Sequence, residues 1–246
     1  MRPIQVHFIT GNKGNVGKTV FTDALIEFYR NQGSELIKID ADVDSRALSR
    51  LHRDATLIFL SDNPEFDFEP DAIFQLAEAE SRRKSKRRDV VVDLPPGGER
   101  YINRWLTECG LNKSAATYGI DFVKWWVCDS DLYSIELFER SLEAYPDVKH
   151  VFLKNMGRSL ERSWYTFEND KSLQTLIKQR SVPVLEIPRI DEYLLKSLQE
   201  KNISFEQARD SVGMTHRMRM SGWLSRVEQT IKAAATSNKE PLSAKA

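Results

Sequence analysis

Two cysteines, Cys109 and Cys128, are too few for a disulfide framework, and neither has metal-ligand spacing. That scarcity predicts a reducing compartment, with Cys128, inside an apolar run, as a buried structural thiol. No stretch reaches the roughly 18 apolar residues of a membrane span, and the N-terminus lacks a signal-peptide profile. Excess charge is also missing, because 36 basic residues offset 36 acidic ones. No global field would draw the chain to nucleic acid or acidic lipid, so such binding would need a local patch. A soluble, cytoplasmic protein is expected. Its 246 residues suffice for one α/β domain over 1–236, followed by a polar tail, 237–246, expected to be disordered.

What the chain does have is concentrated first in Asn12–Thr19, Asn-Lys-Gly-Asn-Val-Gly-Lys-Thr, between the apolar stretch Ile4–Ile9 and the helical pattern Val20–Tyr29. A strand, a glycine-rich turn ending in Gly-Lys-Thr, and a helix make a phosphate-binding loop, in which backbone N–H groups and the positive helix end face a triphosphate. Gly14, Asn15, Val16, Gly17, Lys18, Thr19 and Val20 are the expected cradle. Gly14 and Gly17 give torsional freedom, Lys18 reaches the β- and γ-phosphates, and the Thr19 hydroxyl ligates Mg²⁺. Asn12 replaces the first glycine of the general pattern, and Asn15 is a residue that tolerates positive φ.

Beyond the loop, β-rich runs alternate with helical ones. Strands are predicted at Gln5–Thr10, Leu36–Asp40, Thr56–Leu60, Asp89–Asp93, Phe122–Cys128, His150–Lys154 and Val182–Ile187. Helices are predicted at Val16–Asn31, Pro70–Arg82, Glu99–Cys109, Leu132–Tyr145, Lys171–Gln179, Glu192–Lys201 and Gly222–Ala235. Such alternation implies a doubly wound, mostly parallel sheet with helices on both faces, its ligand at the carboxyl ends of the strands. Asp93, closing Asp-Val-Val-Val-Asp, suits a Mg²⁺-holding acid, and Pro95-Pro96-Gly97-Gly98 suits a hinging loop near a γ-phosphate. Asp40 and Asp42, two apart, are expected to point the same way and to hold Mg²⁺ or orient water. Asp44 reads as a surface or capping acid.

Lys13–Thr19, Asp40-Ala41-Asp42 and Val92–Gly97 together resemble the deviant Walker A ATPases of the ParA/MinD group, over roughly residues 4–190. The resemblance implies a P-loop NTPase fold, ATP and Mg²⁺ as ligands, and an ATP-dependent homodimer. It places the signature lysine that crosses to the partner's nucleotide at Lys13, and the residue orienting the hydrolytic water at Asp42. Asn155 and Pro188 fall at the adenine-side positions. DNA or plasmid partition, transfer, or intracellular positioning is the implied setting, with an unidentified activating protein. One alternative is a nucleotide-gated adaptor with little hydrolysis. Another is a small-molecule kinase or amidoligase-like enzyme, which Lys13 and Pro95-Pro96 disfavour.

Three surface features bear on the partner. Arg82–Arg88, six basic residues in seven, reads either as a non-specific DNA contact or as a solvated loop far from the ATP face. Met220, Leu224, Val227 and Ile231, with Trp223, form a stripe that suits packing on the sheet better than a membrane surface. Trp125 and Trp126 on a central strand read as core packing on one face and contact with a neighbouring helix on the other.

Overall fold

The computed structural model describes residues 2–66 and 68–237. Its strands are β1 (Ile4–Thr10), β2 (Leu36–Asp40), β3 (Thr56–Leu57), β4 (Asp89–Asp93), β5 (Ile120–Cys128), β6 (Lys149–Asn155) and β7 (Val184–Ile187). They form one parallel sheet in the order β3-β2-β4-β1-β5-β6-β7. The chain therefore lays β2–β4 on one side of β1 and β5–β7 on the other, which opens a crevice at the carboxyl end of β1. The central strands are buried along nearly all their length and largely apolar, because helices cover both faces.

The helices are α1 (Lys18–Asn31), α2 (Ala47–Leu51), α3 (Asp71–Ser81), α4 (Glu99–Glu108), α5 (Leu111–Ser114), α6 (Leu132–Ala144), α7 (Tyr165–Asn169), α8 (Lys171–Gln179), α9 (Glu192–Lys201), α10 (Phe205–Ser211) and α11 (Met214–Ser237). On one face α1, α9, α10 and α11 pack through Phe21, Leu194, Phe205 and Trp223 against Ile9, Val123, Trp125 and Val127. The other face is divided: α3 and α4 cover Phe8, Val92 and Phe122, whereas α6, α7 and α8 cover Trp126 and Phe152. Trp125 and Trp126 thus pack on opposite faces, as their alternation requires.

Several boundaries differ from expectation. The first helix begins at Lys18, not Val16, because Gly17 adopts φ 101°. The strand expected over Thr56–Leu60 stops at Leu57, and the one expected from Val182 starts after Pro183, which has no N–H to give a ladder. The last helix starts at Met214, eight residues ahead of the expected Gly222, and buries Met220, Trp223, Val227, Ile231 and Ala234. Its stripe belongs to the core. No helix among the described residues is long and apolar enough to cross a membrane. Unexpected α10 has a capping box between Ser204 and Gln207, a signal present in the sequence as Ser-x-x-Gln. Of the tail expected to be disordered, only Ser237 falls among the described residues, and it ends α11.

The basic run lies between α3 and β4, at the amino ends of the strands and so opposite the crevice. Glu80, buried, takes ion pairs from Arg83 and Arg88 and accepts the Arg88 backbone N–H. Arg82 pairs with Glu78, and Arg87 donates to the carbonyls of Glu80 and Arg2. Four of the six basic side chains therefore fasten the loop, which places the run where the solvated-loop reading put it.

Candidate functional site

The loop after β1 arches over the amino end of α1. Asn15 has φ 61° and Gly17 φ 101°, so both are left-handed, and asparagine bears that conformation better than most residues. Gly14 has no positive φ, contrary to the torsional role expected of it. A Cβ there would stand 3.7 Å from Pro96 Cγ, an ordinary contact, so Gly14 is where the phosphate loop meets the Pro-Pro loop. Gly11 carries the tighter constraint: with φ 156°, a Cβ on it would lie 2.4 Å from the Val127 carbonyl oxygen of β5. Sequence reasoning missed it because the obstacle belongs to a strand more than a hundred residues away.

Lys18 is buried, and its Nζ donates to the Lys13 carbonyl at 2.9 Å. Burial lowers its pKa, while Asp93 and Asp42 oppose the shift. Thr19 Oγ1 donates to Asp93 Oδ2 at 2.7 Å, and Thr22 Oγ1 donates to Oδ1 at 3.1 Å. Burial pushes the Asp93 carboxyl up to about 7, further raised by Asp40 and restrained by the Thr19 hydrogen bond and by Lys18. A hydroxyl and a carboxylate side by side form an all-oxygen pair that suits Mg²⁺, a hard ion usually bound through one or two protein oxygens plus phosphates and water.

Asp40 and Asp42 do not point the same way. Strand geometry ends at Asp40, and the chain turns at once, so the two-residue alternation fails. Asp40 is fully buried; its Oδ1 accepts the Asp42 N–H at 3.0 Å, and its Oδ2 accepts the Ser49 N–H and Oγ–H at 2.8 and 2.9 Å. Its oxygens organise the turn. Asp42 instead lines the cavity, where its Oδ1 accepts the Ser45 N–H at 3.0 Å. Asp44 is exposed.

That cavity, about 560 Å³, runs from Gly14, Lys18 and Thr19 past Asn155 to Pro188, Ile190 and Leu195. Its size suits a nucleotide-scale ligand. Val20 also lines it. Val16 is buried, and its carbonyl accepts Asn155 Nδ2 at 2.6 Å, so Asn155 buttresses the phosphate loop from the end of β6. Asn155 Oδ1 accepts the Gly157 N–H at 2.9 Å, and the Pro188 carbonyl accepts Trp223 Nε1 at 2.7 Å. Asn155 and Pro188, far apart in sequence, are brought together by adjacent β6 and β7.

Lys13 stands outside the cavity lining. Its Nζ lies 2.9 Å from Asp131 Oδ2 and 3.4 Å from Asp129 Oδ2, and the hydrogen bond to Asp131 is the chief reason its pKa is raised. Asp131 is held low by the same contact and also caps α6 by accepting the Ser134 N–H.

The family model described as CbiA, the CobQ/CobB/MinD/ParA nucleotide binding domain, matches residues 7–205. Protein MobD of Acidithiobacillus ferrooxidans is 20% identical over 228 residues, which cover 92% of this chain and 96% of that protein. The MinD cell division protein of Aquifex aeolicus superposes with a TM-score of 0.54 at 14% identity, covering 97% of this chain and 100% of that one. In the MinC:MinD complex of the same organism the score is 0.55 at 15% identity, covering 98% of each chain. At such identities the two solved structures speak to the fold alone. The match over 7–205, joined to a phosphate loop, a Thr19–Asp93 pair and a nucleotide-sized cavity, places this chain in the CobQ/CobB/MinD/ParA family of nucleotide-binding domains.

Proposed function

We propose that the protein is a Mg²⁺-dependent ATPase that dimerises around ATP and uses hydrolysis to release a bound partner. The observation that carries this reading is the division of labour between its two loop lysines. Lys18 is buried at the head of the cavity, whereas Lys13 is partly exposed and directed outside it, towards Asp129 and Asp131. A lysine so placed suits a second copy of the chain better than its own nucleotide.

Bound ATP·Mg²⁺ supplies the labile phosphoanhydride and the charge that neutralises it. Lys18 and the loop N–H groups hold the β- and γ-phosphates, and Thr19, with Asp93 behind it, holds the metal. Asp40 keeps the turn that presents Asp42, and Asp42 orients the attacking water. Pro96, which lines the cavity with Gly14, is placed to feel the γ-phosphate. Pro188 and Asn155, whose side chain also buttresses the phosphate loop, would flank the base. MinD, similar in fold, forms a complex with MinC, which agrees with a protein as the partner here. The paired arginines of Arg82–Arg88 give no support to DNA as the switched surface.

Nucleotide affinity and turnover test the reading together. Lys18→Ala is expected to abolish ATP binding, and Asp42→Ala to keep binding while turnover falls about 100-fold. Wild-type protein that binds ATP·Mg²⁺ without hydrolysing it, alone or with a partner, would favour a nucleotide-gated adaptor. Failure to bind any nucleotide would overturn the proposal.

A further inference from the structure

Lys124 is a charged residue in the middle of the central strand β5, on a face where its neighbours Phe122 and Trp126 are core residues. It is fully buried, and an ammonium in such a place persists only when each of its donors is met. Three acceptors meet them: Glu99 Oε1 at 2.9 Å, Asn103 Oδ1 at 2.6 Å and Ser141 Oγ at 3.2 Å. The Tyr145 ring lies 4.3 Å from Nζ. Ser141 also hydrogen-bonds Glu99, and its Oγ lies 3.0 Å from His150 Nε2 on β6.

The position of these partners matters more than their number. Glu99 is the first residue of α4, directly after the Leu94–Gly98 loop whose Pro96 lines the cavity with Gly14; Asn103 is one turn further along α4. The loop therefore has two fixed ends: Asp93, bonded to Thr19 and Thr22, and Glu99, clamped by Lys124. Ser141 extends the clamp to α6, the helix capped by Asp131, the carboxylate paired with Lys13.

We infer that the Lys124–Glu99 clamp is the fixed point against which the Leu94–Gly98 loop responds to the γ-phosphate, and that it ties this response to α6 and hence to Lys13. Lys124 is a positioning residue: it touches no nucleotide and acts through Glu99 and Ser141. The inference rests on the switch reading above and names a part of its machinery. A purely space-filling lysine in the same place would affect stability and leave the discrimination between di- and triphosphate untouched.

The test is the ratio of affinities for adenylyl-imidodiphosphate and ADP, each with Mg²⁺, in wild type, Lys124→Met, Lys124→Met/Glu99→Leu and Ser141→Ala. Lys124→Met leaves Glu99 without its cation, so the double variant, with neither charge, and Ser141→Ala, with both retained, carry the test if it does not fold. We expect the ratio to shift at least threefold in the folded Lys124 variants, with the double variant regaining thermal stability but not the wild-type ratio. Should neither of them fold, the same threefold shift is expected in Ser141→Ala. Discriminating wild type alongside folded variants whose ratio moves less than threefold would overturn the clamp and leave the switch standing. Wild type that binds both nucleotides alike would overturn the switch and the clamp with it.

Discussion

At the scale of single residues, Gly11 and Asp93 bear the sharpest consequences of the fold. A methyl group on Gly11 would collide with the Val127 carbonyl of β5, so Gly11→Ala is expected to cost about 2 kcal/mol or more in urea unfolding and to displace the phosphate loop. An unchanged midpoint would contradict this packing. Asp93 has a folded pKa of about 7 against an ordinary 3.8, so between those values the folded state binds the extra proton. Stability therefore falls as pH rises from about 4 to about 7 and levels off above, a loss of up to roughly 4 kcal/mol from this one group. Nucleotide-free Asp93→Asn should lack that slope, and parallel pH profiles for the two proteins would refute the assignment. Asp93 and the Gly-Lys-Thr loop were legible in the sequence because their signals are local. Gly11 and the turn-organising role of Asp40 were not, since each depends on atoms from another element.

The elements show the same division between local and distant causes. Continuous apolar runs marked the central strands, because a strand covered on both faces has no polar side to confuse its reading. Short α2 left no comparable pattern, β3 was legible but read three residues too long, and α10 was announced only by its capping box. Helix α11 packs its stripe on α1 and β7 and ties Trp223 to the carbonyl of Pro188, which lines the cavity. Trp223→Phe should therefore cost about 1 kcal/mol through the lost hydrogen bond and weaken nucleotide binding, while Trp223→Ala should cost about 3–5 kcal/mol in thermal unfolding. Equal nucleotide affinity in Trp223→Phe and wild type would detach α11 from the site. In the Arg82–Arg88 loop, Glu80→Ala should destabilise by about 1–3 kcal/mol because Arg83 and Arg88 lose their buried carboxylate, whereas Lys84→Ala should change the melting temperature little.

Over the whole molecule, the seven parallel strands among the described residues bring the phosphate loop, the β2 and β4 carboxylates and the ends of β6 and β7 to one end of the sheet, and the basic run to the other. The sequence order of the motifs foretold that convergence; the pairing of Lys13 with Asp129 and Asp131 emerged only when β5 was set beside β1. Whether Lys13 leaves those carboxylates for a second copy is the central claim. Its most direct measurement is molar mass by light scattering during size-exclusion chromatography, without nucleotide and with ATP·Mg²⁺, for wild type, Lys13→Ala and Asp42→Ala. The account predicts monomers without nucleotide, an ATP-dependent dimer in wild type that persists in Asp42→Ala, and no dimer in Lys13→Ala. A monomer under every condition, or a dimer indifferent to Lys13, would contradict it.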